Sequence, residues 1–164
     1  LNIIGIDPGI TGAISLISSD RVAQVWDMPT VKIDNKLKLD LSELNVLMGM
    51  VFLITHLHRK EDTVVYIEKV HSMPNQGVSS TFKFGMTYGA ICQAAIHYFH
   101  SYVDVTPQKW KKKMNLLNCE KDAARLLAIE LLPELADKLS RKKDHGRADA
   151  LLIGSYGLLN SGKP

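Results

Sequence analysis

The sequence predicts an α/β domain, a mixed sheet with helices on its faces. Strand-like runs open the chain, helical and strand-like runs alternate after them, and the run TVVYIE is short and almost continuously apolar. The 164 residues suit one domain with one substantial core, taken here as 1–164. Hydrophobic residues make up 46% and charged residues 23%, ordinary for a soluble globular chain.

Each element has its own signal. Residues 2–7 (NIIGID) read as a first strand. Gly12–Ile17 (GAISLI) and Arg21–Met28 (RVAQVWDM) follow across the turn-like Ser18-Ser19-Asp20, which predicts an antiparallel meander. Pro29 to Asn35 reads as a connection. Asp40 or Ser42 caps a helix carrying Leu44, Leu47, Met48, Val51 and Ile54 at helical spacing. Its apolar window, Leu44 to Ile54, falls well short of the ~20 residues a bilayer span needs, so no membrane role is expected. Thr63–Glu68 (TVVYIE) suits a central strand buried on both faces and ending in a carboxylate. MPNQGVSS is a loop, and a long helix capped by Ser79 or Ser80 runs to about His97. Tyr102–Val105 is a strand stopped by Pro107. A helix from near Glu120 carries Ala123, Leu126, Leu127, Ile129 and Leu131 and ends at Pro133. The last helix begins inside RKKDHGRADALLIGSYG, Arg141 to Gly157.

Charge and cysteine usage narrow the setting. The net charge of +3 says little, but its distribution is uneven. Lys109, Lys111, Lys112 and Lys113 form one basic cluster, and Lys138, Arg141, Lys142, Lys143 and Arg147 form another. Either alone reads as a solvated face. Two together, one beside acids, point to a polyanion. Cys92 and Cys119 lie far apart in no ligand or redox spacing, which predicts free thiols in a reducing compartment. The expected setting is cytoplasmic. The chain opens at Leu1 inside a strand, and a leader trimmed from that end would make an organelle the alternative.

The acids carry the chemistry. The first strand ends at Asp7 and the strand after the first helix ends at Glu68. If they are parallel neighbours, the two chains run ~4.8 Å apart and both carboxylates emerge at the ligand-gathering end of the sheet. Such a pair is costly unless protonated or bound to metal. The bland reading of Asp7 is a turn opener in DPGITG. Glu68 has a weaker excuse, since an apolar strand rarely ends in an unpartnered acid. His145 and Asp149 stand four apart, on one helix face. Asp144, one residue before His145, fits either a helix cap or a ligand, while Asp149 inside an apolar run favours a ligand. Carboxylates with an imidazole suit Mg²⁺ or Mn²⁺ better than zinc. Acids ringed by cations fit phosphodiester hydrolysis, in which two ions activate water and stabilise the leaving 3′ oxygen while lysines hold phosphates.

Four motifs in order, IGIDPGITGAISLI, VYIEKVHSMPNQGVSSTFKFGMTYG, VTPQKWKKKM with CEKDAARLLA, and KKDHGRADALLIGSYG, resemble the RuvC-type Holliday junction resolvases, nucleases of the RNase H-like superfamily. The likeness is to the phage and organellar branch, covers essentially the whole chain, and implies a bacterial or phage-infected cell. It implies an RNase H-like five-stranded mixed sheet flanked by helices. It also implies that Asp7, Glu68 and Asp149 bind metal, two Mg²⁺ or Mn²⁺ ions per site, with a fourth ligand just before Asp149. Bacterial members place that ligand three residues ahead of the last Asp, which here is Gly146. Spacing nominates His145 instead, with Asp144 second. Lys111 and Lys121 match basic residues near the scissile phosphate. Together with Lys109, Lys112, Lys142, Lys143 and Arg147 they form the expected DNA contacts. His71 stands where bacterial members carry a base-wedging aromatic, with Met73, Phe82 and Phe84 as alternatives. A homodimer acting on a four-way junction is implied, leaving 5′-phosphate and 3′-hydroxyl ends and using no small-molecule cofactor. The helix after Phe84 fits a dimer interface, with Gly85, Gly89, Ala90, Ala94 and Ala95 keeping a low face and Tyr88, Ile91 and Tyr98 adding apolar area. A buried intramolecular helix is the plain alternative, and Trp110 is open between packing and base stacking.

Three rival classes share some of these features. An actin-like or sugar-kinase ATPase also begins with an ID-x-G loop, but that fold needs two lobes where this chain supplies one. A catalytically silent junction-binding module sits poorly with the intact set Asp7, Glu68, His145 and Asp149. A flap, RNA–DNA hybrid or broader branched-DNA nuclease fits the same fold.

Overall fold

A computed structural model of the chain describes residues 1–20, 23–57, 62–70, 77–120 and 122–161. Along the sequence run β1 (Asn2–Asp7), β2 (Ala13–Ser18), β3 (Ala23–Asp27), β4 (Thr30–Ile33), β5 (Lys36–Leu39), α1 (Leu41–Leu57) and β6 (Thr63–Glu68). Then come α2 (Val78–Phe99), β7 (Val103–Val105), α3 (Pro107–Lys113), α4 (Ala123–Leu131) and α5 (His145–Ser161), with 3-10 turns at Pro133–Leu139 and Lys142–Asp144.

The main sheet has five strands in the order β3-β2-β1-β6-β7. β2 runs antiparallel to both β1 and β3, while β6 is parallel to β1 and β7 parallel to β6. This is the mixed sheet and opening meander that the sequence predicts. β1 takes the centre because Ile3, Ile4 and Ile6 offer apolar side chains to both faces, and all three are fully buried. Ile4, Ile6, Ile14, Leu16, Val65 and Ile67 meet α1 and α2 on one face. On the other, Ile17 and Val105 join Trp110, Ala128, Leu151 and Leu152 from α3, α4 and α5. Among the described residues no helix is long and apolar enough to cross a membrane.

Local chemistry explains the element ends, including several that differ from expectation. Asp40 caps α1, its Oδ1 accepting the N–H groups of Ser42 (3.0 Å) and Glu43 (3.1 Å). α2 starts at Val78 behind an extended Gly77 with no side-chain cap, so Ser79 and Ser80 fall in the first turn instead of capping it. It ends at Phe99, and His100 adopts the left-handed conformation (φ 65°) with its N–H on Ile96 O. α4 begins at Ala123, a little later than expected. Pro107 does more than stop β7: it is the first residue of α3, and Thr106 caps that helix by accepting the Lys109 N–H. The expected connection after Pro29 is a hairpin, β4–β5, turned by Asp34 and Asn35 at φ 50° and 57°.

Two burial expectations are corrected. β6 is an inner strand, but only Val65 and Ile67 are buried, while Tyr66 and Glu68 on the α5 face stay partly open. On α2, Ile91 and Ala95 are fully buried in the core, Tyr88 donates to Asp104 (2.5 Å) and Tyr98 donates to Asn45 O (3.0 Å). That face serves the fold. The face left open carries Val78, Phe82 and Met86, which are 86%, 67% and 61% exposed, with free space over Gly85 and Gly89.

Candidate active site

The site is set by main chain pressed on main chain. A Cβ on Gly5 would stand 2.3 Å from Ala150 O and 2.4 Å from Gly154 N, so α5 lies directly on β1. The buried Ser15 Oγ sits 2.7 Å from Ala150 O and 3.2 Å from Gly5 O, pinning the same contact. Strand alternation then turns Asp7, two residues past Gly5, toward α5. Tyr66 packs edge-on against Tyr156 of α5, so Glu68, two residues further, faces the same way. The parallel register ends at Ile6 opposite Ile67, leaving Asp7 and Glu68 next in line on chains ~4.8 Å apart. At the start of α5, Gly146 rests on the β1–β2 turn, where a Cβ would lie 2.1 Å from Thr11 O. His145 and Asp149, one turn apart, are thereby delivered to the end of the sheet that holds Asp7.

Electrostatics tie these side chains together. Burial raises the pKa of Asp7, opposed by the Gly9 N–H (3.1 Å to its Oδ1), His145 and Lys111. Glu68 is pushed up to about 7, first by burial and then by the negative charge of Asp7 and Asp149. Asp149 rises to about 6, again by burial first and then by Asp7, while Lys111 and His145 pull it down. Lys111 therefore acts on all three carboxyls. It is held by the short helix α3, with its Nζ 5.2 Å from the Trp110 ring centroid. Trp110 is fully buried, which resolves its role as packing and excludes base stacking. Its Nε1 has no partner of full hydrogen-bond geometry, yet it is close enough to Glu68 to lower that carboxyl's pKa, a loose contact aimed at the site. A cavity of about 210 Å³ opens here, lined by Lys111, His145 and Asp149 with Cys119 and Glu120 on its wall.

Among the described residues, no three His, Cys, Asp or Glu are drawn together closely enough to hold an ion as they stand. Burial is the larger cause of the raised pKa values of Glu68 and Asp149, and repulsion from neighbouring carboxylates adds to it. The chemistry of the donors, carboxylate oxygens with one imidazole, fits a hard divalent cation.

Other expected site residues go elsewhere. Asp144 is buried and spends its carboxylate on Arg141, accepting from the backbone N–H (2.9 Å), Nε (3.1 Å) and Nη2 (2.7 Å). It braces the entry to α5. Arg147 forks onto both oxygens of Asp27 at 2.6 Å and donates to Lys138 O at 2.9 Å. That guanidinium is a tie between α5 and β3, not a free phosphate contact. Lys109, Lys112, Lys142 and Lys143 are exposed. Phe84 is half-buried and Phe82 exposed. His71, Met73 and Lys121 lie outside the described residues. A larger cavity of about 560 Å³ lies between β3 and α1 beside the Arg147–Asp27 pair and includes none of the site carboxylates.

Compared as a structure, the chain matches Thermus thermophilus RuvC in complex with a Holliday junction substrate at a TM-score of 0.63 and 18% identity, covering 98% of this chain and 94% of that one. This is the RuvC fold. A second T. thermophilus RuvC structure matches at a TM-score of 0.56 and 20% identity over 100% of this chain and 99% of that one. The yeast mitochondrial Holliday junction resolvase Ydc2 matches at 0.51 and 18% identity, over 94% and 76%. In sequence, a 58-residue stretch is 45% identical to the chloroplastic Holliday junction resolvase MOC1 of Chlamydomonas reinhardtii; it is 34% of this chain and only 7% of that longer protein. No protein-family model matches the chain. On the RuvC fold, Asp7, Glu68 and Asp149 come from three separate elements, β1, β6 and α5.

Proposed function

We propose that this chain is a metal-dependent endonuclease that resolves four-way DNA junctions by paired nicks, leaving 5′-phosphate and 3′-hydroxyl ends. The observation that carries the reading is the electrostatic coupling of Asp7 to Glu68 and Asp149, with Lys111 acting on all three, at the carboxyl end of a RuvC-fold sheet. The similar proteins named as Holliday junction resolvases supply the substrate class.

In this reading Asp7, Glu68, Asp149 and His145 would hold Mg²⁺ or Mn²⁺, two ions per site. When bound, such ions neutralise phosphate charge and make water a stronger nucleophile. The remaining work falls to the chain. Lys111 holds a phosphate oxygen beside the scissile bond. His145, the one imidazole among the acids, completes that set with a neutral nitrogen donor. Buried Trp110 and the α5–β1 contact exclude solvent and keep the acids in place. Lys109, Lys112, Lys142 and Lys143 hold flanking phosphates. Two copies meet through the open α2 face of Val78, Phe82 and Met86, which gives the symmetry that paired nicks require. A reducing cytoplasmic setting, or an organelle as in the chloroplastic relative's name, accords with two free cysteines.

The test is cutting of a synthetic four-way junction, linear duplex, flap and RNA–DNA hybrid in Mg²⁺. Paired, ligatable nicks near the junction centre are expected, with sedimentation giving two copies per junction. Asp7→Asn should abolish cutting while binding persists. Equal cutting of plain duplex, or unchanged cutting by Asp149→Asn, would overturn the reading.

A further inference from the structure

We propose that the hairpin β4–β5 is a second DNA-gripping element, a basic ribbon that holds a duplex arm of the substrate through Lys32, Lys36 and Lys38. The inference rests on the nuclease reading above and extends it to a part of the chain with no role there.

Position comes first. Asp7 pairs with Ala13 and Ala13 with Asp27, so β3 finishes at the same end of the sheet as the site carboxylates. The Met28 N–H donates to Gly12 O (3.0 Å), fastening the following chain to the loop beside Asp7. The Asp40 N–H donates to Pro29 O (3.0 Å) and closes the base of the ribbon. The hairpin is thus rooted at the edge where a substrate meets the site.

Chemistry supplies the partner. β4 and β5 pair only with each other, and every strand residue except Leu39 is exposed. Two strands alone are marginal in water and gain from something to lie against. The register Val31↔Lys38, Lys32↔Leu37 and Ile33↔Lys36 puts Lys36 and Lys38 on one face and Lys32 on the other. Among the described residues no acid pairs with any of the three. A two-stranded ribbon fits the major groove, and cations on both its faces reach the phosphate backbones that wall the groove. Lysines on exposed strands also discourage edge-to-edge aggregation, and salt dependence separates the two roles.

The experiment measures binding of a fluorescent four-way junction in Ca²⁺ across a salt series, for the full chain and for the triple variant Lys32→Ala, Lys36→Ala, Lys38→Ala. Thermal melting confirms that the exposed substitutions leave the fold intact. The expected result is binding weakened roughly 10–100-fold near 0.1 M salt and a log–log salt slope shallower by about 2–3. Lys→Arg at the same three positions should restore the slope. If the wild-type chain binds the junction and the alanine variant shares its slope, the ribbon proposal fails alone, and a protein partner or solvated lysines explain the hairpin. If the wild-type chain neither binds nor cuts branched DNA, the ribbon and the nuclease reading fall together.

Discussion

Burial raises Glu68 to about 7 and the charges of Asp7 and Asp149 add to the rise, so ionising this residue works against the fold. A folded-state pKa above the unfolded value means that the native state holds the proton more tightly. Stability of the cation-free protein should therefore decline as pH rises from about 4.5 to about 7. Asp149 contributes in the same direction up to about 6. Glu68→Gln should melt higher than the parent at pH 8 without added cation, by roughly 1–3 kcal/mol, with the gain vanishing near pH 4. Added Mg²⁺ should raise the parent's melting temperature and not the variant's. A Glu68→Gln chain that melts lower at pH 8 would mean the carboxylate is already compensated. The placing of Asp7 and Glu68 at one end of the sheet was legible from strand ends alone, because an apolar run that stops at a carboxylate is conspicuous. The partners of Asp144 and Arg147 were not. Arg141 lies three residues before Asp144, and Asp27 lies far from Arg147 in sequence, so only the folded arrangement decides who neutralises whom.

The entry to α5 works as an element in its own right. The Asp144 carboxylate accepts from the Arg141 backbone N–H and guanidinium, and the Asp144 N–H donates to Arg141 O, bracing the 3-10 turn Lys142–Asp144 ahead of the residues that bring His145 and Asp149 to the site. Asp144→Ala should cost about 1–3 kcal/mol in urea unfolding, since it leaves the Arg141 backbone N–H and guanidinium without their acceptor. The Arg141 guanidinium holds the Asp144 pKa below its ordinary value, so this contribution is present above about pH 4 and disappears as acid protonates the carboxyl. Long periodic elements were readable from sequence: β1, β2, β6 and α1 stand within a few residues of expectation. The short ones were not. α3 is a single cationic stretch behind a proline, and a proline can end one element while starting the next. The hairpin did leave a signal in its alternating VKI and KLKL runs about an Asp-Asn turn, but lysines on both faces blur the period that a half-buried strand would show.

Across the molecule, two cores sandwich the sheet, and the site lies at one end of the layer built by α3, α4 and α5. The order β3-β2-β1-β6-β7 places both parallel carboxylate strands at the centre, where neighbours on either side limit their movement. Gly5→Ala tests that arrangement from a distance. A methyl pressed against Ala150 O forces α5 away from β1, and cutting should fall about 100-fold or more with all four candidate ligands intact. Circular dichroism must show a folded variant for the result to count, and undiminished cutting would show that the gap can breathe. Where side chains fill an interface, a rotamer can absorb an error of half an ångström. At Gly5 there is none to turn between strand and helix. The backbone spacing of Asp7 and Asp149 is consequently set by main-chain contact, with little side-chain slack to relax it.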